Sequence, residues 1–89
     1  MYQYIEHVLA SYFGAAAETS EEDAIELLLG NIKNSDVFAS GLRAEVEEAL
    51  QDSGYSWKAV LEQYEVAFFD AEEDARSYAK HILWDSLFV

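Results

Sequence analysis

The sequence predicts an all-α protein: a compact bundle of four or five short helices forming a single domain over residues 1–89. Three observations lead there. Proline is absent and only four glycines punctuate the backbone, so little interrupts a helical run. Apolar residues recur at three- and four-residue spacing, while nothing alternates with the two-residue period of a strand over a useful length. A composition that is 52% hydrophobic, with 2 Trp, 6 Tyr and 5 Phe, is too apolar and too aromatic for a disordered acidic tail.

The first helix is expected over Tyr2 to Phe13, with Ile5, Val8, Leu9, Tyr12 and Phe13 at helical spacing and Gly14 as its stop. Ala15 to Glu18 reads as a connection. Ser20 is placed to cap a second helix, with Glu21, Glu22 and Asp23 in the turn where the helix dipole favours anions. Ile25, Leu28, Leu29 and Ile32 form its apolar stripe. After the break at Asn34-Ser35, Ser35 or Asp36 caps a third helix whose inner face is Val37, Phe38, Leu42, Val46, Ala49 and Leu50. Asp52-Ser53-Gly54 ends it, with Gly54 suited to a left-handed position.

Ser56 caps a shorter fourth helix presenting Trp57, Val60, Leu61 and Tyr64. Residues 65–69 fit either a buried extended connection or a helical continuation, because periodicity cannot decide so short a run. Asp70 and Glu73 have capping-box spacing and open a last helix through Ala75, Tyr78, Ala79, Ile82, Leu83 and Leu87. Glu72 and Arg76 stand four apart as an ion pair on that helix. The core is expected to include Leu28, Leu29, Val46, Leu50, Ile82 and Leu83.

Charge carries most of the functional information. The chain holds 18 Asp and Glu against 5 Lys and Arg, a formal net charge of -13. Such a shell repels nucleic acids and anionic membranes and attracts basic partners in a salt-dependent way. No stretch approaches the roughly 20 apolar residues of a membrane span. The opening residues lack the basic and apolar regions of a signal peptide, so a cytoplasmic protein is expected. Without cysteine there is no disulfide framework and no thiolate zinc site.

No catalytic or metal-binding pattern emerges. The sequence has no Gly-rich phosphate loop, nucleophile elbow or Cys/His pair, and adjacent acids at a helix start do not converge as a catalytic pair does. No loop matches an EF-hand: in Asn34-Ser35-Asp36-Val37-Phe38-Ala39, Phe38 falls where a ligand is required. Asp85-Ser86-Leu87 matches the short phosphopantetheine signature of acyl carrier proteins, but there the serine opens a helix in mid-chain. His7 and His81 are the only histidines and do not stand at helical spacing to each other, so they form no histidine ligand pair. The expectation is no enzyme, no cofactor and no metal.

The acids group as Glu21-Glu22-Asp23-Glu26, Glu45-Glu47-Glu48-Asp52 and Asp70-Glu72-Glu73-Asp74. Capping explains acids at two helix starts, but not the failure to balance them with Lys and Arg. Self-repulsion on that scale destabilises the chain, and a basic partner would offset it. The candidate partner-binding residues are Glu21, Glu22, Asp23, Asp70, Glu72, Glu73 and Asp74. Tyr55 and Trp57 are added as anchors because Tyr and Trp dominate interface hot spots.

Taken whole, the layout resembles the small helical immunity proteins of bacterial contact-dependent growth inhibition systems. The residues that carry the resemblance are the helix ending Tyr12-Phe13, the acidic start Ser20-Glu21-Glu22-Asp23-Ala24-Ile25, the segment Leu42 to Leu50, and the closing Tyr78-Ala79-Lys80-His81-Ile82-Leu83. In the family pattern polar and acidic residues follow Tyr-Phe at once; here Gly14-Ala15-Ala16-Ala17 follow, so that site is not carried over. The domain is expected to be a monomer or weak homodimer, and the resemblance implies a cytoplasmic antidote that binds the basic toxin domain delivered by a neighbouring cell. Many such toxins are nucleases with basic clefts, which an acidic protein can plug. The rival expectation is an acidic helical adaptor or regulatory domain that binds a host protein.

Overall fold

Helix α1 (Gln3–Val8) has no cap of its own, and a carboxylate some forty residues away takes its first free amides. In the computed structural model, which describes residues 2–88, Glu45 Oε1 accepts the N–H groups of Tyr4 at 2.9 Å and Ile5 at 3.1 Å. The helix runs on as a π-helical turn over Leu9–Phe13 and stops at Gly14, as the sequence predicts. A Cβ at Gly14 would sit 2.9 Å from the Tyr64 carbonyl oxygen and 3.0 Å from that of Leu9, so only glycine lets these backbones meet here. A short 3-10 turn, Ala15–Ala17, leads on.

Three serines open the next three helices. Ser20 accepts the Asp23 N–H at 3.2 Å and starts α2 (Glu21–Asn34). Ser35 accepts the Phe38 N–H at 3.3 Å and starts α3 (Asp36–Gln51). Ser56 accepts the Ala59 N–H at 3.0 Å and starts α4 (Trp57–Gln63). Each satisfies a donor that has no partner inside its own helix. Helix α5 (Glu72–Lys80) continues as a second π-helical turn, His81–Asp85. No strand occurs among the described residues.

One core joins all five helices. Ile5, Val8 and Leu9 meet Ala24 and Leu28 of α2, Leu42, Val46 and Ala49 of α3, Trp57, Val60 and Leu61 of α4, and Ala75, Ala79, Ile82 and Leu83 from the last helix. Helix α1 lies on α3, α2 packs on α3 and on the π-helical turn after α1, and α4 packs on α5. At Gly41 the Tyr4 ring occupies the space a Cβ would need, which brings α1 down onto α3. The radius of gyration, 12.0 Å, is that of a single compact domain of this length. None of the helices is long and apolar enough to cross a membrane.

Several local expectations are corrected. Gly54 has no positive φ; Asp52 Oδ1 instead accepts its N–H at 2.9 Å and makes the turn. Asp70 and Glu73 form no capping box, since Ala71 is the α5 cap residue and no side chain bonds there. Arg76 does not pair with Glu72: it donates from Nε and Nη2 to the Leu50 carbonyl oxygen at 3.0 and 2.7 Å. That contact satisfies an end-group of α3, where a cation also suits the dipole. Leu29 is 40% exposed and Val37 75% exposed, and Leu50 is only half-buried against the core. Residues 65–69 form an irregular connection that turns at Glu65, whose φ of 55° lies in the left-handed region.

Candidate partner-binding surface

Many of the 18 acids are structural. Glu45 caps α1, and Glu72 does the same for α4 from across the helix pair: it accepts the Ser56 hydroxyl at 2.6 Å, the Trp57 N–H at 2.7 Å and the Lys58 N–H at 3.2 Å. The Glu21 carboxylate accepts the Tyr78 hydroxyl at 2.6 Å and lies 4.0 Å from His81 Nε2, tying the start of α2 to the end of α5. Glu6 accepts the Tyr64 hydroxyl at 2.6 Å and Asp52 the Tyr2 hydroxyl at 3.1 Å. Glu62 and Asp85 pair with Lys58 and Lys80 at 2.8 and 2.9 Å.

These bonds divide the candidate acids into two groups. Glu21 and Glu72 are committed to the fold. Glu22, Asp23, Asp70, Glu73 and Asp74 are exposed, and their carboxylates take no side-chain or backbone partner among the described residues. The cations do not cancel them. Arg76 keeps its charge but donates to the neutral Leu50 carbonyl oxygen, Lys58 and Lys80 pair with Glu62 and Asp85, and Arg43 lies 5.6 Å from the Trp84 ring centroid as a cation–π contact. A field of uncompensated negative charge therefore covers the first turns of α2 and α5.

The two aromatic candidates fare differently. Trp57 is 1% exposed and belongs to the core, so its ring is not offered to a partner. It stacks edge-on with Tyr55, which stacks in turn with Tyr2, at centroid separations of 5.0 and 4.8 Å. Tyr55 is half-buried. Its hydroxyl and the Trp57 Nε1–H are buried without a hydrogen-bond partner among the described residues. Composition suggests Tyr and Trp as anchors, but the large apolar side chains on the surface are Leu27 at 59%, Leu29, Val37 and, at 70%, Phe68. Sequence reasoning missed Leu27 and Phe68. A run of three leucines and a Phe-Phe pair each hide which member faces out.

Tyrosines under the acidic surface are held in the neutral form. Burial and the bond to Asp52 push the Tyr2 hydroxyl from the usual 10 to about 12. Burial, reinforced by the Glu6 charge, raises Tyr55, and burial with the Glu21 bond raises Tyr78. The bond to Glu6, then burial, raises Tyr64. A phenolate beside a carboxylate is disfavoured, so each pair bonds best with the proton on tyrosine. Ser86, the serine of the carrier-like tripeptide, donates its hydroxyl to the His81 carbonyl oxygen at 2.8 Å.

No family model, curated protein or solved structure matches this chain.

Proposed function

We propose that this protein is an immunity protein that binds and neutralises a cognate, basic toxin domain through its acidic surface. The observation that carries the reading is the set of acids left without partners at the first turns of α2 and α5, on a chain of net charge -13. Folding alone uses Glu21 and Glu72 there, and gains nothing evident from Glu22, Asp23, Glu73 and Asp74 beyond the dipole of each helix, an effect of about 0.3–1 kcal/mol per charge. A partner rich in Lys and Arg would gain from all of them. A nuclease is such a partner, because its cleft is built to hold a phosphate backbone, and carboxylates on a rigid surface compete for the same cations. The protein itself acts by binding and carries out no chemistry, in the cytoplasm of the cell it protects.

The test is rescue. Expression of the toxin domain encoded by the neighbouring reading frame should arrest growth, and co-expression of this chain should restore it. Rescue should fail when Asp70, Glu73 and Asp74 are together changed to Lys while the variant melts like the wild type. Undiminished growth arrest in the presence of the wild-type chain would overturn the reading. So would copurification of a host protein from cells lacking the toxin, which is the behaviour of an adaptor.

A further inference from the structure

Among the described residues Phe68 is the one exposed aromatic, and it stands on a segment that is otherwise pinned. The connection from α4 to α5 begins with the Glu65 N–H bonded to the Glu62 carbonyl at 3.1 Å and the Val66 N–H to that of Leu61 at 2.9 Å. Glu65 takes the left-handed φ there, an uncommon conformation for a residue with a side chain. Val66 and Phe69 then pack against the core. The Phe69 ring lies 5.4 Å from that of Tyr78, whose hydroxyl is bonded to Glu21. A chain fixed on both sides of Phe68 holds that ring in water.

Removing the ring from water lowers the free energy, and a backbone already fixed has little conformational entropy left to lose on binding. The acids close to it in sequence indicate the partner. Glu65, Asp70, Glu73 and Asp74 are exposed and unpaired among the described residues, and the nearest lysine in sequence, Lys58, is bound to Glu62. A second copy of this chain would set -13 against -13, and a nucleic acid or an anionic membrane would be repelled in the same way. A basic protein surface with room for one aromatic ring is complementary in both respects.

We propose that Phe68 is the apolar anchor of a protein–protein interface, inserted into a pocket bordered by Lys or Arg on a basic partner and rimmed on this side by Glu65, Asp70, Glu73 and Asp74. The proposal rests on the neutralisation reading, in which that partner is the toxin domain. Anchor and rim have separate kinetic signatures: the anchor governs dissociation, and the rim acids govern association.

The test measures binding of the purified wild type, Phe68→Ala and Leu27→Ala to the toxin domain encoded by the neighbouring reading frame, with thermal melting and sedimentation of each protein alone. Leu27 serves as a second exposed apolar residue, on α2. Phe68→Ala should bind about 30-fold more weakly, through faster dissociation, while Leu27→Ala stays within about threefold and both variants melt like the wild type. Wild-type affinity in Phe68→Ala would overturn the anchor and leave the neutralisation reading standing. No binding by the wild type would overturn that reading and the anchor with it. A wild-type dimer that Phe68→Ala dissolves would assign the ring to a second copy of the chain and overturn the proposal of a basic partner.

Discussion

Gly30 sits exposed in the middle of α2, with open space where a Cβ would go. Alanine there would lose less backbone entropy on folding, so Gly30→Ala should stabilise the protein by about 0.5–1 kcal/mol. For a domain this size that is a rise in Tm of about 2–8 °C, readable in a thermal melt. Directly before Gly30, Leu28 and Leu29 look alike in sequence and differ in place: Leu28 is wholly buried and Leu29 is 40% exposed. Leu28→Ala should cost about 2–5 kcal/mol in denaturant unfolding, and Leu29→Ala should change stability by no more than about 0.5 kcal/mol. Periodicity marks the stripe Ile25, Leu28, Leu29, Ile32 but not its width. The packing of α3 and of the turn after α1 centres the stripe on Leu28 and leaves Leu29 at its edge.

Three helix starts were legible from a local signal, whereas the local capping-box spacing of Asp70 and Glu73 forms no cap. Ser20, Ser35 and Ser56 each stand directly before an apolar-periodic run, and each caps the helix that follows. The carboxylates that cap α1 and reinforce α4, Glu45 and Glu72, come from other helices, and no spacing in the sequence announces them. The same distance effect misplaces Arg76, which a four-residue spacing assigns to Glu72 and which the fold turns to the Leu50 carbonyl. Glu72 therefore acts mainly across elements. Glu72→Ala would strip the acceptor from the Trp57 and Lys58 amides and should destabilise the protein by about 1–2 kcal/mol. Glu73→Ala, one residue on and without such a bond, should be close to neutral. Chemical denaturation of the two variants side by side checks the difference.

Over the whole molecule the acids and tyrosines act together. Tyr2, Tyr55, Tyr64 and Tyr78 all have folded pKa values above the usual 10, Tyr2 at about 12. The folded state thus holds protons that the unfolded chain releases from pH 10 upward. Their stabilisation is complete below pH 10 and is lost as the pH rises through the folded values. The protein should unfold in alkali from about pH 10 upward, with ionisation of these four tyrosines and loss of helical circular dichroism rising together; titration of Tyr2, Tyr55, Tyr64 and Tyr78 at pH 10 with the helices intact would contradict this.

The all-helical architecture could be read from periodicity and from the lack of proline, because each helix is specified by its own residues. The candidate surface could be read only as charge. Which acids are free depends on contacts such as Glu21 with Tyr78, 57 residues apart, and Trp57, a natural anchor by composition, is consumed by the core.

Under the proposed function, the uncompensated acids attract a basic toxin domain. The decisive measurement is the association rate of this protein with the proposed toxin domain, that encoded by the neighbouring reading frame, from low to high salt. A 1:1 complex is expected whose association slows by at least about tenfold between roughly 0.02 and 0.5 M salt, with a shallower dependence once Asp70, Glu73 and Asp74 are replaced by neutral residues. A complex that forms at the same rate at every salt concentration, or no complex at all, would contradict it and leave the acids as a solvating shell.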